Sequence, residues 1–423
     1  MRRTNNQDSH SVIPAGSMDR FQRRGHLFIV ADGMGAHAAG ELASRMATEL
    51  IAMHYFRASP EDAKDSLRLA VSDANNEIYQ RGQQNPEFHN MGTTASTLAL
   101  LPQGAIVAHV GDSRVYRLRA GVLEQLTFDH SLVWEVQASG QVHPDSALGQ
   151  ALPKNVITRS LGPNENVQID MEGPFEVHPG DRFLLCSDGL SGQVDDVEIA
   201  TLLDCLPDEL AVQVLVDLAN LRGGPDNSTV VVVSVTDGPL VDHHVPAPPS
   251  NSGDNSAFWG TVTSATATAL CLMAAIAFRY LQLQGSMIIT LVGAIIAGVI
   301  TTTSYTALRR QTRRRTYHGD SVSSGRSRCN GGKGPYRRYR SDPGQALFDR
   351  LGKTVQELRE AAKLKNWSME WRDIDQFQDE GMEAMRSGDG KTAIRRQAEA
   401  IVETMQQLRE QHDRAAGETA VEP

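Results

Sequence analysis

Four short segments of the sequence each place an aspartate beside small or polar residues: Asp32-Gly33, Gly111-Asp112-Ser113, Asp188-Gly189 and Asp226-Asn227. An aspartate beside glycine is ordinarily a turn residue, and any one segment alone would be interpreted in that way. As a set they are informative, because carboxylates that converge repel one another unless protons or cations neutralise them. Mg²⁺ or Mn²⁺ would suit such a cluster, since the sequence has no grouping of cysteine and histidine that suits zinc.

A carboxylate cluster that binds two such ions is suited to attack on phosphorus by a metal-activated water. Two ions bridged by one carboxylate can hold a water between them, lower its pKa and aim it in line at phosphorus. The reaction also needs an arginine that binds the nonbridging phosphate oxygens and offsets charge in the transition state. Arg3, five residues before Asp8, is the candidate for that role.

The elements that must position these aspartates include a short apolar strand and an amphipathic helix. Residues 26–31 (HLFIVA) are too few for a helix and rich in branched and aromatic side chains, which predicts a buried strand ending at Asp32-Gly33. Beyond the glycines, apolar residues recur at helical spacing and predict an amphipathic helix. They are Leu42, Met46, Leu50 and Met53.

Further strands are predicted along the first 235 residues. Residues 96–101 and 105–109 form a hairpin pattern around Pro102-Gln103-Gly104. Three more apolar runs have strand character, at 115–118, 183–186 and 230–235. Several strands with few helices indicate a sandwich of two sheets with helices outside.

Taken in order, these residues resemble a known family, the metal-dependent protein phosphatases of type 2C. The motifs that carry the resemblance are RTNNQD (3–8), VADGMG (30–35), MGTT (91–94), VGDSR (110–114), CSDGL (186–190) and GPDNST (224–229). Residues 157–162 (ITRSLG) resemble the segment that follows the mobile flap of the family, which would place the flap near 130–155. Each motif is weak alone, but their order and separations are specific. Together they identify residues 1–236 as a phosphatase domain.

The resemblance implies an α+β fold, a four-layer α/β/β/α sandwich of two antiparallel sheets flanked by helices. It also implies a site that holds two Mn²⁺ or Mg²⁺ ions and a third, weaker one. The residues it assigns are Asp32 as the bridge between two ions, the Gly33 carbonyl, Asp188, Asp226, Asp8 acting through a bound water, Asp112 for the third ion, and Arg3 for the phosphate. The implied function is hydrolysis of phosphoserine and phosphothreonine in proteins, opposing kinase signalling.

The histidines near these motifs are given structural roles. His37 and His130 could assist proton transfer to the leaving oxygen, yet a hydrogen-bonded or solvent-facing role is favoured for each. His109 lies within an apolar strand and is predicted to belong to the core. No general acid is assigned.

Two alternative functions follow from the same residues. The family has a full strand ahead of its arginine, whereas only Met1 and Arg2 precede Arg3 in this sequence. A pseudophosphatase that serves as a binding or scaffold module is therefore one alternative. The other is a phosphatase acting on a small phosphorylated molecule or on one dedicated regulatory protein.

Composition divides the rest of the chain. A length of 423 residues predicts more than one unit, while 40% hydrophobic residues and a net charge of -10 are ordinary for a soluble protein. The four cysteines have no CxxC spacing, which favours a reducing compartment. The N-terminus shows no signal-peptide pattern, so the domain ahead of the apolar region is expected in the cytoplasm.

Residues 237–256 are rich in Pro, Ser, Asp and Asn and predict an extended linker, after which 257–308 carry almost no charge. Within them, 258–278 and 286–308 are each long enough to cross a hydrocarbon core of ~30 Å as a helix, which predicts a two-helix hairpin in the cytoplasmic membrane. A buried hairpin in a soluble domain is the alternative. Arginines just after 308 predict, by the positive-inside rule, that both terminal regions face the cytoplasm.

The last segments are assigned to contact and connection. Residues 309–342 are strongly basic and expected to be disordered, and their place after a membrane helix favours anionic lipid over nucleic acid as the ligand. Residues 343–412 carry helical stripes and predict a hairpin or bundle for a protein partner, followed by a disordered tail at 413–423. The stripes are Leu347, Leu351, Val355 and Leu358, and then Ile394, Ala398, Ile401, Met405 and Leu408.

Overall fold

The computed structural model describes residues 5–35, 38–58, 62–139, 146, 149, 152–153, 156–236 and 333–419, with side chains as far as 411. The chain divides into two compact units, and the described residues belong to the one formed by Met1–Asp242 and Cys329–Pro423. Arg3, His37 and the two predicted membrane spans lie outside the described residues.

The first sheet is antiparallel and carries the strand on which the metal motif lies. Its strands are β1 (Asp8–Ile13), β2 (His26–Met34), β3 (Gly92–Thr93), β4 (Ala95–Leu101), β5 (Gly104–Val110) and β8 (Asp170–Phe175). They run in the order β1-β2-β4-β5-β8, with β3 paired to the end of β2. The hairpin predicted around 102–104 is the β4-β5 pair.

The second sheet is also antiparallel, in the order β10-β9-β6-β7-β11. Its strands are β6 (Arg114–Arg119), β7 (Val122–Gln125), β9 (Arg182–Cys186), β10 (Val230–Ser234) and β11 (Arg337–Arg340). Strands β6, β9 and β10 correspond to the three apolar runs of the sequence, whereas β11 comes from the basic segment.

Helices flank both sheets. In the catalytic region they are α1 (Met18–Arg24), α2 (Ala39–Arg57), α3 (Ala63–Gln84), α4 (Leu132–Ala138), the single turn α5 (Asp188–Ser191), α6 (Asp196–Cys205) and α7 (Asp208–Leu221). Three more follow β11, namely α8 (Gln345–Lys365), α9 (Arg372–Arg386) and α10 (Gly390–Thr419).

Three apolar cores separate the layers. Alternate residues of β2 point to opposite faces, so Leu27 and Ile29 pack under α2 and α3, while Phe28 and Val30 face the second sheet. The far side of the second sheet forms the third core with α6, α7 and the C-terminal helices. The prediction of two antiparallel sheets flanked by helices is therefore confirmed.

The α2 helix packs on the first sheet through a different stripe from the one predicted. Leu42, Met46 and Leu50 are only partly buried at the edge of the contact. The fully buried face consists of small residues followed by larger ones, namely Ala43, Ala47, Ile51 and Tyr55. Small side chains allow the helix to approach the sheet closely, and that distance is not visible in helical periodicity.

Strand β2 is longer than predicted and does not end at the metal motif. Its last residues pair with β3, with Gly33 opposite Thr93 and Met34 opposite Gly92. Asp32 therefore lies within a paired strand and not in a turn. Pairing on one side to β1, opposite Asp8, and beyond to β3 restrains the Asp32 backbone more firmly than a loop would.

The C-terminal module, defined as residues 333–411, packs against the catalytic region. Disorder was expected through residue 342, but β11 instead extends the second sheet, with Tyr339 opposite Leu123 on β7. Two arginines of β11 have partners in the catalytic region. Arg338 Nε lies 2.9 Å from Glu124 Oε1, and the Arg337 guanidinium stacks 3.8 Å from the Trp134 ring centroid. The expectation of disorder is wrong for these residues, because acidic and aromatic partners from distant segments hold them in place.

The helices of the C-terminal module share a continuous core with the second sheet. Leu347, Leu351 and Ile394 are buried together with α6 and α7 residues such as Leu202 and Leu215. Polar contacts frame this core: Asp204 of α6 accepts from Ser341 Oγ at 3.0 Å and pairs with Lys391 Nζ at 3.0 Å, and Asp217 of α7 pairs with Arg409. Among the described residues, the contact partner of these helices is the catalytic region itself.

None of the helices in the described ranges combines the length and the apolar character needed to span a bilayer. The predicted spans 258–278 and 286–308, with the linker before them, lie outside those ranges.

Candidate metal centre

Two threonines hold the backbone of Asp32 in place. Its N–H donates to Thr94 Oγ1 at 2.9 Å, and its carbonyl accepts from Thr94 N–H and Thr93 Oγ1, both at 2.9 Å. The Thr94 hydroxyl also lies 2.7 Å from Ser113 Oγ, in the turn that carries Asp112. Two aspartates from different segments are thus linked by one threonine.

Asp8 stands directly across from Asp32 on the neighbouring strand. Its carboxylate accepts a hydrogen bond from Ser187 Oγ at 2.7 Å, which joins the start of β1 to the end of β9. Gln7 completes this connection, because its N–H donates to Asn227 Oδ1 at 3.0 Å and its carbonyl accepts from Gly33 N–H at 3.1 Å.

Asp188 and Asp226 approach the site from the second sheet. Asp188 begins the short helix α5, and Asp226 lies in the loop that precedes β10. The two segments are close-packed: Ser187 N–H donates to Thr229 O at 3.1 Å, and a Cβ added at Gly189 would lie 1.9 Å from Asn227 O. Glycine at 189 is therefore required for the two loops to meet.

Asp112 is the most buried of the predicted ligands, with 7% of its surface exposed. It lies in the turn between β5 and β6, as predicted. Its Oδ1 atom is buried and accepts no hydrogen bond from any residue that the structure describes. A buried carboxylate oxygen without a donor is unfavourable unless a proton or a cation supplies the missing interaction.

The aspartates are close enough to raise one another's pKa. Burial, the charges of Asp8 and Asp188, a hydrogen-bond contact with Asp188 and the charge of Asp112 hold the pKa of Asp32 well above its usual range. Burial likewise raises the pKa of Asp8, with added repulsion from Asp188 and Asp226, against hydrogen bonds from Ser187 and Thr229 that lower it. The cluster favours protons or cations over bare negative charge.

The donor set fits a hard divalent cation. Within the described ranges, no three carboxylate, imidazole or thiol side chains lie close enough to enclose an ion by themselves. Magnesium-type sites normally use one or two carboxylates and complete the shell with water. Cys186 adds no soft ligand, because full burial raises the pKa of its thiol to about 12.

Electrostatic interactions connect Asp32 with Asp8, Asp112 and Asp188, and Asp8 with Asp188 and Asp226. Gly33 lies beside them on β2, and Arg3 lies outside the described residues. Uncharged supports were not predicted, namely Gln7, Thr93, Thr94, Ser113, Ser187 and Asn227. Gln7, Ser113, Ser187 and Asn227 each adjoin a predicted ligand in the sequence, whereas Thr93 and Thr94 belong to the MGTT motif at 91–94. Membership of a motif was therefore the available signal.

Replacing Gly189 by alanine should displace the Asp226 loop. The new Cβ would meet backbone atoms of Asn227 and not a flexible side chain, so the loop must move. We expect a loss of about 1–3 kcal/mol of stability, typical of overpacking, and weaker Mn²⁺ binding, measured by thermal unfolding and calorimetry. G16A is the matched control, since a Cβ there meets nothing within 4 Å. Equal Mn²⁺ affinity in G189A and G16A would contradict the prediction.

The metal-free protein should lose stability as pH rises. Burial, followed by the charges of Asp188 and Asp129, raises the pKa of Asp112 to about 7, against about 4 in an unfolded chain. Between these pKa values the folded state holds more protons than the unfolded state, so the free energy of unfolding falls as pH increases. The contribution of the protonated Asp112 carboxyl disappears as the pH passes 7. Thermal unfolding with EDTA at pH 5 and pH 8 should show a smaller drop for D112N than for wild type, and an equal drop would refute this assignment.

Comparison with known proteins shows which family this chain resembles. The model of the family described as "Protein phosphatase 2C" matches residues 2–210. Protein phosphatase PhpP of Streptococcus pneumoniae (strain D39) is 37% identical over 243 residues, covering 56% of this chain and 94% of its own. The serine/threonine phosphatase Stp of Listeria monocytogenes is 36% identical over 215 residues, covering 49% and 83%. The crystal structure of Mycobacterium tuberculosis PstP/Ppp is 34% identical, with a TM-score of 0.49, and covers 56% of this chain and 95% of its own.

The family model and the relatives PhpP and Stp show that this chain is a metal-dependent protein-serine/threonine phosphatase. The chain belongs to the protein phosphatase 2C family. The family match ends at residue 210, ahead of Asp226 and of the C-terminal module.

Proposed function

We propose that the chain hydrolyses phosphoserine and phosphothreonine in proteins at a two-ion site formed by Asp32, Asp188 and Asp226, with Asp8 in support. The observation that carries this proposal is the crowding of carboxylates around Asp32, whose pKa is raised by burial and by three other aspartates. Such crowding is unfavourable in the absence of protons or cations, and two divalent cations offset it.

Each residue of the proposed site has a specific role. When bound, two divalent ions supply a nucleophilic water of lowered pKa and offset charge on the phosphate oxygens. Asp32 and the Gly33 carbonyl would hold these ions from the first sheet, and Asp188 and Asp226 would complete the ligand set from the second sheet. Ser187 orients the Asp8 carboxylate through its 2.7 Å hydrogen bond.

Two further residues complete the proposed site. Arg3 would bind the nonbridging phosphate oxygens, because guanidinium and phosphate groups are complementary in a bidentate arrangement. Asp112 holds a third, weaker ion, which would give its buried Oδ1 the electrostatic partner that the described residues do not supply.

We also propose that the phosphatase is anchored in the cytoplasmic membrane by residues 258–278 and 286–308. Each segment is an uncharged stretch of about twenty residues, enough to span a bilayer. The arginines that follow residue 308 favour anionic lipid headgroups and a cytoplasmic orientation of both ends. The substrates would then be phosphorylated proteins at the cytoplasmic face.

Phosphopeptides test the proposed activity. The full chain in detergent with Mn²⁺ is assayed on one peptide sequence carrying phosphoserine, phosphothreonine or phosphotyrosine, and on p-nitrophenyl phosphate. We expect release of phosphate from the first two peptides, abolished by EDTA and restored by Mn²⁺. Hydrolysis of p-nitrophenyl phosphate alone would favour a small-molecule or dedicated substrate, and Mn²⁺ binding without any hydrolysis would favour a scaffold.

A further inference from the structure

A fully buried histidine is attached to the turn that carries Asp112. His130 Nδ1 accepts a hydrogen bond from Gly111 N–H at 3.0 Å, and the His130 N–H donates to the Gly111 carbonyl at 2.7 Å. The His130 side chain has 0% exposure. Since Nδ1 is the acceptor, the neutral ring carries its hydrogen on Nε2.

The second ring nitrogen is fixed as well. Nε2 lies 3.1 Å from Asp170 Oδ2 on β8, while Arg159 Nη1 lies 3.1 Å from Asp170 Oδ1 and 3.2 Å from Nε2. The His130 carbonyl accepts from Thr158 N–H at 2.8 Å. His130 therefore connects the Asp112 turn to residues 156–159 and to the edge of the first sheet.

The turn is held from its other side by Thr94. Gly111 has a φ of +115°, and a Cβ at that position would lie 2.5 Å from Thr94 Cβ, so no other residue fits without displacement. Gly111 is thus confined between Thr94 and His130. Thr94 also holds the backbone of Asp32, which makes the turn a bridge between His130 and the main cluster.

The Asp112 carboxylate depends on this backbone for its position. Its Oδ1 accepts no hydrogen bond from any residue in the described part of the chain, so side-chain partners do not orient that atom. Asp112 directly follows Gly111, whose N–H and C=O are both bonded to His130. A shift of Gly111 would therefore move the carboxylate relative to Asp32 and Asp188.

His109 is a second buried histidine beside the same turn. It stacks 4.9 Å from His130, and its ring nitrogens face Ser96 Oγ at 2.9 Å and the Phe128 carbonyl at 3.0 Å. Ser96 Oγ also donates to the Ser113 carbonyl at 2.9 Å, so the Nδ1 side of His109 reaches the turn through an intervening side chain. His130 differs because its Nδ1 accepts directly from the N–H of Gly111, the residue before Asp112.

We infer that His130 is a positioning residue that sets the affinity of the Asp112 ion by fixing Gly111. The inference rests on the proposed function, since it presumes that Asp112 binds a divalent cation. It adds a residue that neither holds the ion nor touches substrate.

Two substitutions separate the arms of the ring. The amide of asparagine reaches the position of Nδ1 and can still accept from Gly111, whereas the amide of glutamine reaches that of Nε2 and can bond Asp170 alone. Calorimetry of Mn²⁺ binding to the full chain should show the weakest ion weakened by about 10- to 100-fold in H130Q, the usual cost of losing an outer partner. H130N should remain near wild type.

Two controls define the route of the effect. H54Q makes the same chemical change at a surface histidine, paired with Glu77 at 2.7 Å, and should leave Mn²⁺ binding unchanged. D112N should abolish binding of the weakest ion, and adding H130Q to D112N should weaken the remaining ions no further. Additional weakening in the double variant would show that His130 acts elsewhere.

The outcomes are distinct from those of the proposed function. If wild type binds Mn²⁺ and hydrolyses phosphopeptides while H130Q binds every ion equally well, the positioning role is refuted and the function stands. If folded wild type binds no Mn²⁺, the proposed function fails. Should H130Q not fold, H130A replaces it: it also lacks the acceptor for the Gly111 N–H and should bind the weakest ion less tightly than H130N does. Equal affinity in H130A and H130N would overturn the inference.

Discussion

Alanine at position 32 should lower kcat/KM on a phosphothreonine peptide by more than about 100-fold, above the usual range for loss of an outer partner of a metal site. Asp32 is the residue on which the charges of Asp8, Asp112 and Asp188 converge. Steady-state kinetics of the full chain with saturating Mn²⁺ measure the loss.

The same substitution should have the opposite effect on the metal-free fold. Removing a carboxyl group whose pKa is raised by burial and repulsion relieves an unfavourable interaction, so the unfolding temperature in EDTA should rise or stay unchanged. D19A is the matched control, because Asp19 is exposed and pairs with Arg23 on α1. Substantial activity in D32A, or an equal loss in D19A, would exclude Asp32 as the bridging ligand.

Deletion of residues 333–423 should strongly destabilise the catalytic region. The C-terminal module covers apolar side chains of α6, α7 and the second sheet, and each fully buried large side chain contributes about 1.5–3 kcal/mol. We expect the unfolding temperature of the truncated chain to fall by more than about 10 °C, or the chain to aggregate. Thermal unfolding followed by circular dichroism measures the change.

A replacement elsewhere provides the comparison for this deletion. Exchanging 243–328, the other compact unit, for a flexible Gly/Ser linker removes a similar length and none of the described core. That variant should unfold at the wild-type temperature. If chains lacking 333–423 were as stable as wild type, the shared core would contribute little and the catalytic region would be autonomous.

The candidate ligands could be proposed from the sequence because they are charged and stand beside glycine, as Asp32, Asp112 and Asp188 do, or beside other turn residues, as Asp226 does. Residue type and neighbouring residues make four aspartates recognisable as candidates, namely Asp32, Asp112, Asp188 and Asp226. Their supports are not recognisable in this way, since Thr94, Ser187 and similar residues are common in any loop. Only three-dimensional contact shows that one threonine joins Asp32 to the turn of Asp112.

The placement of the C-terminal helices could not be predicted for a different reason. The stripe that begins at Leu347 and Leu351 shows that a helix has an apolar face, but periodicity carries no information on what that face covers. The basic run was misleading in the same way. Arg337 and Arg338 are ordered by Trp134 and Glu124, more than 190 residues away in sequence, a pairing that local composition cannot reveal.

The strand order of the second sheet has a consequence for biosynthesis. Strands β10 and β11 form its two opposite edges, so the chain departs from one edge after Ser234 and returns to the other at Arg337. About 100 residues separate these strands, roughly 5–20 s of translation at about 5–20 residues per second. During that interval we expect the apolar surface that the C-terminal module later covers to be exposed, which gives a chaperone time to bind it. An engineered protease site between the two strands should, for the same reason, give fragments that remain associated and elute together.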